Sequence, residues 1–503
     1  MGLRFFNSLT RTVQDFIPRD PGGRKVGMYC CGPTVYDVAH IGNFRTFVFA
    51  DLVRRYLECK GYEVRHVMNI TDVEDKIIRR VRETGEPRAA FTARLEAEFF
   101  QDFDTLRCLR PHDTPRATEY VGEIIALIKQ LMARGIAYRA PDHSVYFSID
   151  KYRGGGGRYG QLKKLDFDQM RVGERVSSDE YDKEAVADFA LWKARVPEDG
   201  EVFWKSELLG EGRPGWHIEC SAMSMQLLGP SFDLHLGGED LVFPHHEDEI
   251  AQSEGAGAQA AGEPFVRYWL HGAFLLAEGK KMSKSLGNFY TLRDLLAKGF
   301  TGREVRYLLL SAHYRESLNF TLDGLQGARR ALGRIKECMC KLLEFWDDSR
   351  GPVAVARDQR DTALLDQFQR ALDDDLNVSR AWGVIFEWIR ELNRAMSAGK
   401  SCPDRAASAL ATWNRLDDVL GLSLELKSPL RMSEVKGVVP FGTLVNVAGE
   451  EEAPPEIERL LMQRMDARKA KNFRQADAIR DELKAKGWLI EDTPKGPRLK
   501  QAG

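Results

Sequence analysis

The hydrophobic pattern opens with a short apolar run, Val26–Cys31, which stops at Gly32-Pro33 and predicts a strand. From Gly42 to Leu57 the apolar residues recur at helical spacing, with Phe44, Phe47, Val48, Leu52 and Tyr56 on related faces, and Gly61 ends the run. Tyr62–Ile70 alternates and predicts a second strand. Strand, helix and strand in about 45 residues form a βαβ unit. The expected fold class is therefore α/β, with a Rossmann-like parallel sheet. Helical patterns follow over Arg88–Leu106 and Ala117–Arg134. The stretch from about 135 to 212 is irregular, with Gly154–Gly157 and the charged run Glu174–Glu184, and is expected to be an insertion. Regular signals return at Trp216–Leu228, Phe232–Leu236, His245–Gln252 and Val266–Leu276, which would complete the sheet. After about residue 322 the pattern is helical over Ala331–Trp346, Asp361–Asp374, Val378–Met396 and Ala406–Leu420, as in a bundle. Leu422–Pro455 is weakly patterned and predicts a linker, and Glu456–Lys486 predicts a helical pair.

Composition narrows the class. The chain has 503 residues, enough for more than one core, with a formal charge of −2, 43% apolar and 29% charged residues. That balance excludes a uniformly basic nucleic-acid coat and argues against disorder. No apolar run approaches the roughly 18 residues of a membrane span, and Met1–Asp20 does not read as a secretory signal. A cytoplasmic protein without a membrane partner is expected. Eight cysteines are too few for a disulfide scaffold, so reduced thiols are expected, available for metal or chemistry. No heptads appear, which makes a monomer the default.

Three motif matches fail on inspection. Gly210-x-Gly212-x-x-Gly215 fits a dinucleotide fingerprint but follows no clear strand and contains Pro214. Gly399-Lys400-Ser401 would close a P-loop, but Arg394 stands where its first glycine belongs, so it predicts a helix end. His246-Glu247 would open a zinc-protease HExxH, but its last position is Ile250.

Two other segments carry more. His40-Ile41-Gly42-Asn43 lies between the first strand and first helix, where parallel sheets bind ligands beside helix N-termini. Gly42 would let a nucleotide approach the backbone, and His40 can donate to a phosphoryl oxygen. An ordinary helix start with a surface histidine fits the same four residues. Lys280-Lys281-Met282-Ser283-Lys284-Ser285-Leu286-Gly287-Asn288 is cationic and hydroxyl-rich, suited to a polyphosphate, and equally a solvated basic loop.

Together, in this order, the two segments resemble the signature motifs of class I aminoacyl-tRNA synthetases. Three further runs resemble the cysteinyl-tRNA synthetases: Met28–Asp37, Gly215–Met223 and Phe243–Ala251. The resemblance spans most of the chain and is weakest over 150–212 and 422–455. It implies ATP-dependent activation of L-cysteine to cysteinyl-adenylate and transfer to the 3′ end of tRNA(Cys). In that reading His40, Asn43, Lys281 and Lys284 are catalytic. His40, Gly42, Asn43, Asp240 and Lys284 bind ATP, with Mg²⁺ accompanying it. Thr71, Trp216 and His235 hold the amino acid. The family's first motif usually ends in His, where this chain has Asn43, which can donate a hydrogen bond but carries no charge.

Cys31, Cys220, His245 and Glu249 offer S, S, N and O donors, a balance suited to Zn²⁺. His245 and Glu249 are four apart, on one face of a helix that Pro244 can start. A buried cysteine pair with a helix-face His–Glu contact fits the spacing as well. The family carries one zinc at the matching positions, which favours the metal. His246 is a possible substitute for His245, and Cys30 is expected to point away from Cys31. A zinc that takes the substrate sulfur as thiolate would separate cysteine from serine without an editing domain. Thr71, after the second strand, could contact the substrate's ammonium or carboxylate, or simply cap a turn. His235-x-Gly237-Gly238-Glu239-Asp240 ends a strand, and Asp240 is the better candidate for the ribose, with a solvated acidic turn as the plain alternative.

The segment 456–503 has twelve Lys or Arg against eight Asp or Glu, a local charge of +4. Arg464, Arg468, Lys469, Lys471 and Arg474 fall on the helical pair, and Trp488 offers a stacking surface suited to single-stranded RNA. A solvated helix face with a core Trp is the alternative. In the family this region reads the anticodon. The expected domains are a catalytic first half at 1–115, a connective insertion at 116–212, and a catalytic second half at 213–276. A stem-contact region with the lysine-rich loop follows at 277–322, then a bundle at 323–422 and a linker with an anticodon-binding domain at 423–503. Two other functions stay open: a cysteine ligase of mycothiol biosynthesis, which joins cysteine to an amino-sugar and lacks the C-terminal region, and a non-catalytic zinc- and RNA-binding protein.

Overall fold

The computed structural model describes residues 2–164, 175–176, 188–260, 262–282, 287–345, 361–424, 426, 454–469, 472–493 and 496–501. Four parallel strands form the central sheet: β1 (Lys25–Cys30), β2 (Glu63–Met68), β3 (Phe232–Gly238) and β4 (Val266–Gly272), in the order β4-β3-β1-β2. Their register sets Tyr29 beside His235 on one side and Val67 on the other. Both faces are covered, so β3 is buried throughout, as parallel sheets require. Helix α1 (Ile41–Cys59) links β1 to β2 and buries Phe44, Val48, Leu52 and Tyr56. Its first turn is fixed by a reciprocal cap. Asn43 N donates to His40 Nδ1 at 3.2 Å, and His40 N donates to Asn43 Oδ1 at 3.1 Å. Gly61, in the left-handed region at φ 94°, turns the chain into β2.

The stretch expected to be irregular is a second sheet. Ala137–Arg139, Val145–Phe147, Asp188–Ala194, Gly210–Pro214 and Trp204–Ser206 pair antiparallel in that spatial order, and Arg175–Val176 pairs parallel with Asp188–Ala194. Phe147, Phe189, Leu191 and Trp192 pack on Ile124, Ile128 and Leu131 of the helix Val121–Ala133. Strands of three residues are too short to display a period of two, which hid them. Gly210–Pro214 is a strand, so the false dinucleotide fingerprint belongs to sheet packing. A Cβ on Gly212 would lie 2.2 Å from Lys193 O, and one on Gly215 would lie 2.0 Å from Ala190 O.

Two elements near the sheet differ from expectation. The helix expected at 245 begins at Glu247 as α3 (Glu247–Ala256), after a wide π-type turn over Val242–His246 in which Phe243 is extended. Pro244 sits inside that turn and does not start the helix. The regular signal over 266–276 resolves into β4, in the central sheet, and Leu275–Ala277, which pairs instead with Leu318–Phe320 and Lys280–Lys281. Trp216–Leu228 is a helix as expected, α2. The later helices are Leu322–Leu343, Thr362–Leu372, Val378–Ser397 and Pro403–Leu420, and Gly399, at φ 66°, follows one helix end. No helix of the described residues is long and apolar enough to cross a membrane.

The chain divides into two units. The first comprises Met1–Gly333, Asp361–Glu391 and Thr412–Ser423, and it holds the central sheet. The second includes Leu424–Gly503. There Pro455–Lys469 and Phe473–Ala485 pair as helices through Ile457, Leu460, Leu461, Ile479 and Leu483. A hairpin, Trp488–Thr493 with Gly496–Gln501, completes it. Trp488 is only 5% exposed and belongs to this core, which corrects its expected role as a stacking surface. Arg464 is buried as well, whereas Arg468, Phe473 and Arg474 are exposed. Lys471 lies outside the described residues.

Candidate active site and metal-binding centre

The four expected donors converge from three different elements. Cys31 follows β1, where its N–H donates to Leu236 O on β3. Cys220 is in the second turn of α2, and Glu249 is in the first turn of α3 with His245 just before it. Cys31 Sγ lies 3.9 Å from Cys220 Sγ and 3.7 Å from Glu249 Oε1, and His245 Nε2 lies 3.2 Å from the same oxygen. All four are buried, with Glu249 fully enclosed. The i,i+4 contact between His245 and Glu249 survives the displaced helix start, because the π-type turn keeps His245 over the same face. Cys30, on the opposite pleat, turns its Sγ to Cys31 O and stays outside the cluster.

A second group, Cys31, His235, His246 and Glu249, shares two of these donors. His246 Nε2 lies 3.3 Å from Cys31 Sγ, and His235 Nε2 lies 2.9 Å from Glu249 Oε2. Both groups are able to hold a metal ion. His235 stacks on Trp269 at 4.5 Å and grips the carboxylate, so in this structure its partner is Glu249. Sequence reasoning missed the histidines behind these. His245 Nδ1 pairs with His217 Nδ1 at 2.8 Å, and His246 Nδ1 pairs with His271 Nε2 at 2.7 Å. Asp248 Oδ2 is 3.5 Å from His217 Nε2, and Ser8 Oγ is 2.7 Å from His271 Nδ1. His217 lies in one of the resembling runs, Gly215–Met223, whereas His271 lies in none and carried no sequence signal. Glu247, the acid of the failed HExxH, accepts backbone N–H groups from Gly160, Gln161 and Leu162.

The electrostatics pull these groups apart. The hydrogen bond from Cys31 brings the Cys220 thiol down to about 6 against its burial, with help from His245. Burial and the neighbouring Cys220 push Cys31 well up. One of the pair is thus thiolate and the other its donor. Burial would raise Glu249, but His235 and His245 hold it at about 2. His245, penalised by burial, is drawn up to about 10 by Cys220 and Glu249. Burial keeps His217 and His246 neutral. A negative cluster of mixed S, N and O atoms in a dry pocket is what a divalent cation requires.

The expected ATP end lies at the start of α1. His40 is its N-cap, and the chain after the lysine-rich loop packs on it. Ile41 N donates to Tyr290 O at 3.0 Å, and the Phe289 ring meets His40 edge-on at 5.2 Å. A Cβ at Gly42 would come within 2.9 Å of the His40 ring and 3.9 Å of Met282. The two motifs are therefore neighbours in space. Lys281 is exposed on the strand Lys280–Lys281, and Asn288 Nδ2 donates to Lys281 O at 3.2 Å. Lys284 lies outside the described residues. Asp240 follows β3 on an exposed turn with its carboxylate folded over Gly238, where a Cβ would lie 2.4 Å from Oδ1. Gly237 is needed because His246 Cε1 would meet its Cβ at 2.5 Å.

Thr71 and Trp216 border the donors. Trp216 opens α2 with its ring 4.6 Å from that of His245. Thr71 is joined to the loop after β1 by Thr71 N to Pro33 O and Val35 N to Thr71 O, both 3.1 Å, and its hydroxyl donates to Glu219.

Comparison with known proteins adds three family matches. The model for the class I (C) tRNA synthetase catalytic domain matches residues 19–330, that for a DALR domain 367–425, and that for the cysteinyl-tRNA ligase anticodon binding domain 450–497. A cysteine–tRNA ligase of Chlamydia pneumoniae is 45% identical over 500 residues, 99% of this chain and 98% of that one. One of Chlamydia muridarum is 45% identical over 505 residues, 100% of each chain, and one of Solibacter usitatus is 43% identical over 502 residues, again 100% of each. Among solved structures, Mycobacterium tuberculosis methionyl-tRNA synthetase in complex with methionyl-adenylate aligns with a TM-score of 0.55 at 15% identity, covering 79% of this chain and 90% of that one. At that identity the likeness speaks for the fold.

Proposed function

The chain belongs to the cysteinyl-tRNA synthetase family of class I enzymes, and from that premise we propose how its residues carry out the joining of cysteine to tRNA. Its substrates are cysteine, ATP and tRNA. The full-length match and the anticodon-binding module count against an amino-sugar ligase, and the catalytic domain counts against a purely binding protein.

The observation that carries the mechanism is the buried four-donor cluster at the carboxyl edge of the sheet. Tetrahedral zinc, with bonds near 2.3 Å to sulfur and 2.0–2.1 Å to nitrogen or oxygen, has ligand-to-ligand edges of about 3.3–3.8 Å. The separations here of 3.9, 3.7 and 3.2 Å fit that ion. Cys31, Cys220, His245 and Glu249 would hold it, one per chain. His245 then donates from Nδ1 to His217, whose own proton sits on Nε2 towards Asp248, a consistent tautomer chain behind the ligand. His235 orients the Glu249 carboxylate through its second oxygen. When bound, the zinc supplies a bond to the substrate thiolate that serine's hydroxyl makes poorly.

At the other end, His40 Nδ1 accepts from Asn43 N, which leaves Nε2 as the ring donor we assign to the α-phosphate. Asn43 replaces the usual histidine without loss of this function, because its Oδ1 closes the cap that aims His40. Lys281 and Lys284 neutralise the leaving pyrophosphate, Mg²⁺ arrives with ATP, and Asp240 takes the ribose. Cysteine's carboxylate attacks the α-phosphate, and the terminal adenosine of tRNA then takes the cysteinyl group. Positioning and charge carry the rate, with no covalent enzyme intermediate. Trp216 and His235 border the amino acid. In the second unit the exposed Phe473, flanked by Arg474, replaces Trp488 as the stacking candidate for the anticodon loop. The domain division proposed is 1–115 and 213–276 catalytic, 116–212 connective, 277–322 stem contact, 323–422 bundle and 423–503 linker and anticodon-binding. We assign the enzyme to the cytoplasm as a monomer.

The test is charging of bacterial tRNA with labelled cysteine against labelled serine. Cysteine alone should be charged, with activity lost on chelation and restored by Zn²⁺. Equal charging of serine, or full activity in the metal-free enzyme, would remove zinc from selection.

A further inference from the structure

Hydrogen-bond directions beside the cluster can be fixed from the backbone outward. Gly32 N–H is an unambiguous donor, and it donates to Asn69 Oδ1 at 2.9 Å. That fixes the Asn69 amide, so its NH₂ faces Thr71 and donates to Thr71 Oγ1 at 3.1 Å. The approach is tight: a Cβ on Gly32 would come within 1.7 Å of Asn69 O, so only glycine permits it. Thr71 has one hydroxyl proton, and it goes to Glu219 Oε2 at 3.2 Å. One lone pair of Oγ1 is taken by Asn69 and the proton by Glu219. What remains is the second lone pair, an acceptor.

Glu219 itself is fully buried and adjoins the donor Cys220 in sequence, as Gly32 adjoins Cys31. A hydroxyl polarised by a buried carboxylate, next to the place where the substrate sulfur binds, is suited to a cation and repels an anion. We propose that Glu219 is a positioning residue for the amino acid: acting through Thr71, it turns this corner of the site into a receptor for the substrate ammonium and excludes the carboxylate. The carboxylate is thereby directed away from the cluster, towards the ATP end where it must attack. The inference rests on the assignment of Thr71 to the cysteine site.

The experiment uses the full-length, metal-loaded enzyme and cysteine-dependent pyrophosphate exchange. The inhibitors are cysteamine, which is cysteine without its carboxylate, and 3-mercaptopropionate, which is cysteine without its ammonium. Thr71→Ala and Glu219→Gln should each raise KM for cysteine and Ki for cysteamine at least tenfold, leave Ki for 3-mercaptopropionate within twofold, and keep the metal content. Thr71→Ser should behave as the parent. If 3-mercaptopropionate weakens and cysteamine does not, the hydroxyl proton serves the carboxylate and the proposal falls. A parallel loss for all three ligands would make Glu219 a packing residue and overturn it too. No change for any ligand in Thr71→Ala would refute the placement of Thr71 in the site, while intact exchange would leave the synthetase reading standing. Thr71→Ala reads the contrast independently, so a Glu219→Gln chain that fails to fold does not shield the proposal.

Discussion

The two ends of the sheet's carboxyl edge are built in opposite ways. At the metal end, Cys31, Cys220, His245 and Glu249 are at most 6% exposed and arrive from a strand end and two helix starts. His245 and Glu249 each have a second partner behind them, His217 and His235. At the ATP end, Asn43 and Lys281 are exposed, His40 is half-buried, and the structure there is one helix cap against one short hairpin. On the function proposed above, telling sulfur from oxygen depends on a few ångströms of dry geometry, which the core supplies. Neutralising a polyphosphate depends on charge delivered from the surface. The difference teaches that selectivity and activation can be broken separately.

The largest effect is expected at the metal end. Cys220→Ala removes the more acidic thiol of the pair, and kcat/KM for cysteine should fall by about 10³ or more, as when a group acting within a preorganised unit is removed. Metal content should drop well below one per chain, read by elemental analysis, while ATP affinity stays within about threefold of the parent. Loss of ATP affinity on the same scale would dissolve the separation of the two ends. Next comes Lys284→Ala, expected to slow adenylate formation by about 10²- to 10³-fold with cysteine affinity unchanged, seen by pre-steady-state exchange alongside equilibrium binding. Equal losses in both would sink its assignment to the leaving phosphates. A smaller loss, about tenfold in KM for ATP, is expected from Gly42→Ala, since its Cβ would press on the His40 ring at 2.9 Å and turn the Nε2 donor aside. An effect on KM for cysteine instead would place Gly42 at the wrong end.

The sequence carried the metal end better than its periodicities alone allowed. Cys31 and Cys220 are 189 apart and become neighbours only through the parallel order of β1 and β3. The motifs named them, but topology brought them together. His245 and Glu249 were legible from their spacing, yet the π-type turn before α3 was not, because nothing in Val242–His246 departs from a helical pattern except Pro244. His217 and His271 were invisible as partners, being hydrogen-bonded to ligand candidates from elements remote in sequence. The connective sheet was missed because three of its strands have only three residues, too few to show a period of two. Trp488 stayed open between two readings for a plainer reason: an aromatic among basic residues fits RNA stacking and a small core equally, and only packing in the cluster with Leu460 and Leu483 distinguishes them.

Acid sharpens the comparison from another side, and here the expected effect is on stability alone. His66, on the edge strand β2, is buried, and neither ring nitrogen has a hydrogen-bond partner among the described residues. Burial, aided by Arg54, holds it down to about 3. Its folded pKa thus lies below the unfolded value near 6.5, so the unfolded chain binds more protons between those limits and stability falls as pH drops below about 6.5. By pH 5 this one group costs about 2 kcal/mol. The buried neutral His217, His246 and His271 of the metal end add losses of the same sign in the metal-free chain. The pair at the centre behaves otherwise. Glu249, held at about 2, contributes stability above about 4.5 that is lost only as pH falls towards 2. His245, raised to about 10, contributes below about 6.5 and loses it as pH climbs through 10. His66→Leu, which forfeits no hydrogen bond, should therefore flatten the acid limb of urea stability by about 2 kcal/mol between pH 6.5 and 5 and leave charging at pH 7.5 unchanged. Glu249→Gln should abolish metal binding and leave His66's share of that limb in place. An acid limb indifferent to His66→Leu would assign the whole of it to the histidines behind the metal.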